Sequence, residues 1–364
     1  MTRDRVRRSL IALSPAGLPQ SHASTLLVRA DGSLLVAWFS GSHEGAADSR
    51  ILVTGGVPGQ FPEPHIVGDA PVAHWNPVLA DGPDGRIWLF FRRGPSIEAW
   101  TTWVCHSSDG GCTWDEPSEV VPGSHSRGPV RQAPVWSAGW WIAPGSVEVW
   151  SPEPRWDCFV DLTREGTTWS AVPIPLDHLA VAGAGAIQPA VCRGSAVGLV
   201  ALARSSGGRV LRSATDDPTD WPPFAPCQLP NNNSGLAAVT LDDGTIVCAH
   251  NPGEEDWGSR SPLVLSVSHD DGLTWRRAAT LDDGTARTGP VEKPLPVRSQ
   301  LNDGSPSGAF ATGVVTSGIG EYSYPSIAVT AEAVLVTYTW QRLGIALAEV
   351  PLAELGSSHA VPGP

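Results

Sequence analysis

The sequence predicts an all-β chain closed on itself as a six-bladed β-propeller of four-stranded antiparallel blades. Short apolar runs flank Asp-Gly turns, as in Thr25-Leu26-Leu27-Val28-Arg29, then Asp31-Gly32, then Leu34-Leu35-Val36-Ala37-Trp38-Phe39. Such units return about every 45 to 60 residues, a period that signals a propeller or an array. No segment keeps a 3.6-residue apolar period over the length of a helix.

Taken in order, residues 9–13 form an apolar strand with no partner nearby in sequence. In a propeller it closes the ring by pairing with the last blade, which removes exposed sheet edges. Blades follow at about 20–70, 71–125, 126–178, 179–228, 229–285 and 316–350. The Asp-Gly hairpin recurs at Asp84-Gly85 and Asp243-Gly244, and less regular copies run through 132–142, 187–203 and 326–339. The expectation is a single propeller over residues 8–350, with an insertion at 285–318 and a tail at 351–364. The insertion, rich in Gly, Ser, Pro and Thr, reads either as a flexible surface loop or as a lid over the axial mouth.

Composition agrees. With 41% hydrophobic and 17% charged residues the chain can build a core and is not disordered. Its 39 Gly, 34 Pro and 16 Trp fit tight turns and indoles wedged between layers. The balance of 24 Lys+Arg against 37 Asp+Glu, net -13, has no basic stripe, so nucleic acid and anionic membrane are not expected partners. Lys293 is the only lysine, leaving 24 - 1 = 23 arginines, which matter wherever several converge on a carboxylate. Cys105, Cys112, Cys158, Cys192, Cys227 and Cys248 show no CxxC or Cys/His spacing and read as reduced thiols. The basic N-terminus is followed by a short stretch broken by Pro15, and no apolar run approaches ~18 residues. A cytoplasmic location is therefore expected. No HExxH or close His/Asp pairing suggests a metal, and no cofactor is expected.

Two segments share the spacing S-x-D-x-G-x-T-W: Ser107-Ser108-Asp109-Gly110-Gly111-Cys112-Thr113-Trp114 and Ser268-His269-Asp270-Asp271-Gly272-Leu273-Thr274-Trp275. Ser and Asp side chains accept backbone N–H groups, Gly takes positive φ and Trp packs back on the sheet. This is the Asp box, and the chain resembles the sialidase (neuraminidase) superfamily of six-bladed propellers, where the box lies on outer hairpins away from the active site. Further segments resemble one subfamily, the predicted neuraminidase-like proteins of bacteria and plants. They include His22-Ala23-Ser24-Thr25-Leu26, His74-Trp75-Asn76-Pro77, Ile187-Gln188-Pro189, Arg260-Ser261-Pro262-Leu263, Tyr322-Ser323-Tyr324-Pro325 and Tyr338-Thr339-Trp340-Gln341-Arg342.

The resemblance implies a chemistry. A sialidase grips the substrate carboxylate with three arginines and attacks with a tyrosine activated by a glutamate, while an aspartate is acid/base. Tyr324 resembles the nucleophile, with Tyr322 as the fallback; Arg204 and Arg260 resemble two of the arginines, and Asp48 the acid/base. The segment that carries the first arginine is replaced by Ser21-His22-Ala23-Ser24, and Gln188 stands where the activating glutamate is expected. The clamp then becomes Arg204, Arg260 and His22, joined by Arg131 or Arg92, with Glu148 or Glu44 substituting as the base. Asn76, Asn231, Asn233 and Asn251, at strand ends, are candidates for the mouth of the pocket. Three functions are open at this level. One is a retaining glycosidase for an acidic, sialic-acid-like or uronate-bearing glycan. The second is a uronate-directed lyase with His22 or Tyr324 as base. The third is a repurposed or non-catalytic propeller that binds a small acidic ligand.

Overall fold

A computed structural model describes residues 6–285 and 321–356; the region expected as an insertion lies almost wholly outside the described residues. The described residues form six four-stranded antiparallel sheets arranged as the blades of a propeller. Five blades run in chain order from the inner to the outer strand, from Gln20–Val28 through His65–Val67 in blade 1 to Ala237–Thr240 through Arg276–Asp282 in blade 5. In blade 6 the strands Tyr322–Val329, Ala333–Trp340 and Gly344–Pro351 are completed on the outside by Arg7–Leu13. The first strand of the chain thus closes the ring, as its isolation in the sequence predicts.

Neighbouring blades are glued by apolar faces at the strand period of two. Between blades 2 and 3, Trp88 meets Trp141 edge-on at 5.3 Å between centroids, and Trp169 closes the layer at 6.0 Å from Trp141. Ring quadrupoles favour such edge contacts over face-to-face stacking. The S-x-D-x-G-x-T-W segments join the third and fourth strands of blades 2 and 5, on the outside of the ring. Asp109 Oδ1 accepts the N–H groups of Cys112 and Thr113 at 3.0 and 2.9 Å, and Asp270 Oδ1 accepts that of Thr274 at 2.8 Å. These residues hold hairpins together and lie far from the axis. No helix among the described residues is long and apolar enough to cross a membrane.

The inner strands carry the feature that builds the site. Register shifts interrupt their pairing between His22 and Thr25, Trp75 and Val78, Ile187 and Ala190, and Ser323 and Ser326. Inside each bulge one residue takes a left-handed backbone: Ala23 (φ 56°), Asn76 (46°), Gln188 (52°) and Tyr324 (51°). In three cases proline follows, at 77, 189 and 325, and its missing N–H removes a ladder hydrogen bond. Each such residue costs about 1–3 kcal/mol in backbone strain. Bulges of this kind re-aim side chains, and Asn76, Gln188 and Tyr324 all reach the same pocket.

Candidate active site

Every blade gives at least one side chain to a single pocket on the ring axis. Glu44 comes from blade 1, Trp75 and Asn76 from blade 2, Glu148 and Trp150 from blade 3. Gln188 and Arg204 come from blade 4, Trp257 from the second connection of blade 5, and Tyr324 from blade 6. Trp75, Trp100, Trp150 and Trp257 make its walls largely aromatic, which suits the apolar faces of a ring-shaped ligand.

Tyr324 is the centre of the arrangement. Its ring is buried, 4.2 Å from the His22 ring, and the guanidinium carbons of Arg260, Arg131 and Arg204 lie 5.1, 5.4 and 5.7 Å from its centroid. Its hydroxyl oxygen accepts a hydrogen bond from Arg204 Nη1 at 2.8 Å. The same nitrogen donates to Gln188 Oε1 at 3.1 Å, and Arg204 Nε donates to Asn233 Oδ1 at 2.9 Å. Arg131 anchors the bulge itself: Nη1 donates to the Ser24 carbonyl at 2.8 Å, and Nη2 to those of Tyr324 and Pro325 at 2.6 and 2.9 Å. Tyr322, the fallback, is buried one blade layer away, where its hydroxyl accepts from Gln341 Nε2 and its ring meets Tyr338.

Behind Tyr324 lies a buried ionic network that the sequence reading did not assign. Glu321 is 1% exposed and accepts from Arg260 Nη1 and Arg342 Nε, both at 2.9 Å, and from Ser323 Oγ at 2.7 Å. Arg342 turns its Nη1 to Glu44 at 2.7 Å and its Nη2 to His22 Nε2 at 3.5 Å. Burial alone would raise the Glu321 carboxyl, but the Arg342 and Arg260 charges outweigh it and hold the group at about 2. His22 bonds Thr339 Oγ1 through Nδ1 at 2.9 Å. Burial, and then Arg342, Arg260, Arg131 and Arg204, push its pKa well below the ordinary value, so its imidazole is neutral and supports the phenol from behind.

Glu148 differs from the other carboxylates. It is buried, its Oε1 has no hydrogen-bond partner, and it forms no ion pair among the described residues. Desolvation raises its pKa to about 7, partly offset by the charges of Arg204 and Arg92. Arg92 is fully buried, donates through Nη1 to Thr102 Oγ1, and has no partner for Nε or Nη2.

The remaining predicted residues lie elsewhere or serve the frame. Asp48 is exposed and accepts from the backbone N–H and hydroxyl of Ser42, both at 3.1 Å; it is not a wall residue of the pocket. Asn231 accepts from the N–H groups of Ser205 and Asn233, at 3.2 and 3.1 Å. Asn251 Nδ2 ties the Pro262 and Tyr322 carbonyls together at 2.8 and 2.9 Å. Both asparagines knit the inner ends of blades 4 to 6 and are not pocket walls. Glu321 and Arg342 were missed as site residues, although Arg342 ends a segment that carries the resemblance. The available signal was a charged residue set directly against an apolar strand run at each position.

Six four-stranded blades that each give a side chain to one pocket place this chain among the six-bladed β-propellers. More narrowly, it belongs to the BNR repeat-like domain family, which it matches over residues 32–336. Solved structures of similar fold include the GH93 α-L-arabinofuranosidase of Fusarium graminearum in complex with arabinobiose, at TM-score 0.66 and 15% identity, covering 96% of this chain and 99% of that one. The Penicillium chrysogenum α-L-arabinanase complexed with arabinobiose has TM-score 0.65 and 13% identity, covering 95% and 98%. The NanB sialidase from Streptococcus pneumoniae has TM-score 0.66 and 10% identity, covering 95% of this chain and 71% of that one. At these identities the likeness establishes the fold. No curated protein matches the sequence.

Proposed function

We propose that the protein is a glycoside hydrolase for a small acidic sugar, with Tyr324 as nucleophile and Glu148 as proton donor. The observation that carries this reading is the pairing, in one pocket, of the Tyr324 phenol with a buried carboxyl whose pKa of about 7 is matched to general-acid work near neutrality. Among the described residues, five guanidinium groups are buried (Arg92, Arg131, Arg204, Arg260, Arg342), and salt bridges tie two of them, Arg260 and Arg342, to the carboxylates Glu44 and Glu321, so the surroundings favour an anionic ligand. A phenol suits such a ligand because, unlike a carboxylate nucleophile, it carries no charge to repel it.

In the first step Glu148 gives its proton to the leaving oxygen as the glycosidic bond breaks. The Tyr324 oxygen bonds the anomeric carbon, and its proton passes to Glu44. Water then attacks that carbon, with Glu148 taking a proton from the water and Tyr324 leaving as Glu44 returns the proton to its oxygen. Glu148 thus takes the role the resemblance gave to Asp48, which stands outside the pocket wall.

The test is a panel of aryl sialosides, uronides, rhamnosides and arabinofuranosides, read by aryl release and by the ultraviolet absorbance of an unsaturated uronate. At least one acidic glycoside should release its aryl group, and Tyr324→Phe should lower that rate by about 10²–10⁴-fold. Unsaturated product would instead establish a lyase, and no turnover of any glycoside would remove the hydrolase reading. Glu44 and Glu148 line the same pocket from blades 1 and 3, which also fits direct attack by Glu44. Activity surviving in Tyr324→Phe but lost in Glu44→Gln would select that route.

A further inference from the structure

Arg204 Nη1 donates to the Tyr324 oxygen at 2.8 Å, so whatever aims this guanidinium also sets the nucleophile. Arg204 is buried near the end of a blade 4 strand, Leu199–Ser205. A long side chain has many rotamers, and here its direction is fixed by the groups that receive its N–H bonds. Gln188 Oε1 takes the same Nη1 at 3.1 Å, and Asn233 Oδ1 takes Nε at 2.9 Å.

Asn233 is the last of three successive asparagines, 231–233, in the connection from blade 4 to blade 5, all buried and each put to a different use. Asn231 Oδ1 accepts the Asn233 N–H at 3.1 Å and steadies a left-handed backbone there, φ 57°. Asn232 Nδ2 donates to the Gly258 carbonyl at 3.2 Å and to that of Ser259. Asn233 Nδ2 donates to Asp256 Oδ1 at 2.8 Å. Asp256 precedes the wall residue Trp257 in the second connection of blade 5, and its carboxylate also accepts the Trp257 N–H. The Gly258 N–H closes that turn on the Glu255 carbonyl at 2.8 Å.

An amide can offer either end to a neighbour, and Asp256 decides which. An ionised carboxylate only accepts, so it takes the Asn233 NH2 group and leaves the amide oxygen for Arg204. With the amide reversed, its NH2 would face the guanidinium, donor against donor in a buried setting, and Arg204 Nε would lose its acceptor. Neither Asn233 nor Asp256 is a wall residue of the pocket. Resting on the nucleophile assignment above, we infer that Asp256 and Asn233 are positioning residues: they aim Arg204 at the Tyr324 oxygen. A donor already fixed on that oxygen stabilises the negative charge it gains as the sugar departs, with no reorganisation at that moment.

Asp256 is exposed, so its substitution leaves the core intact. Nuclear magnetic resonance of the Arg204 Nε–H, assigned by its loss in Arg204→Lys, reads the contact without any turnover. Asp256→Ala removes the orienting acceptor, and this proton should exchange with solvent at least about 10-fold faster than in wild type. Asp256→Asn keeps an acceptor oxygen without the charge, so exchange should stay within about 2-fold of wild type. On a glycoside the protein turns over, Asp256→Ala should lower kcat about 10-fold with KM within about 2-fold, and Asp256→Asn should restore the rate. A wall displaced through Trp257 would raise KM instead, and that result would overturn the positioning role. The kcat penalty should vanish in the Tyr324→Phe background; a penalty that persists there undiminished overturns the route through the phenol. Unchanged exchange in Asp256→Ala, or exchange equally fast in Asp256→Asn, overturns the orienting role. Faster exchange in Asp256→Ala with no glycoside turned over upholds the aiming of Arg204 and overturns the hydrolase reading alone.

Discussion

Replacing Glu321 with glutamine is expected to destabilise the protein by about 3–5 kcal/mol, the usual cost of breaking a buried ion pair from one side. The carboxylate is the shared partner of Arg260 and Arg342, each at 2.9 Å, and it also accepts from Ser323. A neutral amide leaves two buried cations facing each other, and Glu44 can hold only the far nitrogen of Arg342. At ~2.1 cal/mol/K of unfolding entropy per residue, the loss corresponds to a fall in Tm of roughly 4–7 °C. Because the folded pKa of about 2 lies below the ordinary glutamate value of 4.5, the contribution is complete above about pH 4.5. It is lost as pH falls from there through about 2. Wild type and Glu321→Gln should therefore differ most at neutral pH and converge in acid, when unfolding is followed with denaturant across that range. A variant as stable as wild type at pH 7 would mean that the three charges are not the buried network drawn here.

The same network explains why the fold was far more legible than the site. Strand runs, Asp-Gly turns and the two S-x-D-x-G-x-T-W segments are local patterns, and they gave six blades and the closing strand at 9–13 directly. The site depends on partners hundreds of residues apart. Arg342 meets Glu44 across 298 positions, and Arg204 meets Tyr324 across 120. No spacing rule encodes those meetings. Arg204 stands apart, found by its likeness to a clamp arginine, whereas Tyr324, Gln188 and Asn76 lie in segments that carry the resemblance, and each holds a bulge with positive φ. There a strand interrupted by X-Pro was a physical cue in its own right, since proline cannot complete a ladder in an inner strand. Asp48 shows the opposite case: a polar residue after a glycine-rich stretch satisfies a turn as readily as a reaction, and here it bonds Ser42. The walls Trp75, Trp100, Trp150 and Trp257 were hidden because an indole at a pocket and an indole between blades look alike in a chain with 16 of them.

Glu148→Gln is expected to move stability and activity in opposite directions. Burial raises this carboxyl to about 7 against an ordinary 4.5, so the folded protein holds a proton that the unfolded chain releases between those values. Stability is therefore fullest below about pH 4.5 and declines as pH rises through 7, by about 3 kcal/mol in all at 1.36 kcal/mol per unit. Glutamine carries no such charge. The variant should match wild type in acid and exceed it by up to about 3 kcal/mol at pH 8, read by denaturant unfolding. As a proton donor Glu148 must be protonated, so kcat/KM of the wild type should fall tenfold per unit above about pH 7. Glu148→Gln should lose that limb together with about 10²–10⁴-fold of the rate on poor leaving groups, and much less on nitrophenyl glycosides, which depart without a proton. A variant less stable than wild type at pH 8 would show instead a carboxylate ionised and paired in the fold, and the proton donor would have to be sought elsewhere on the wall. Gain of stability with loss of rate is the signature of a group held in its costly state for chemistry.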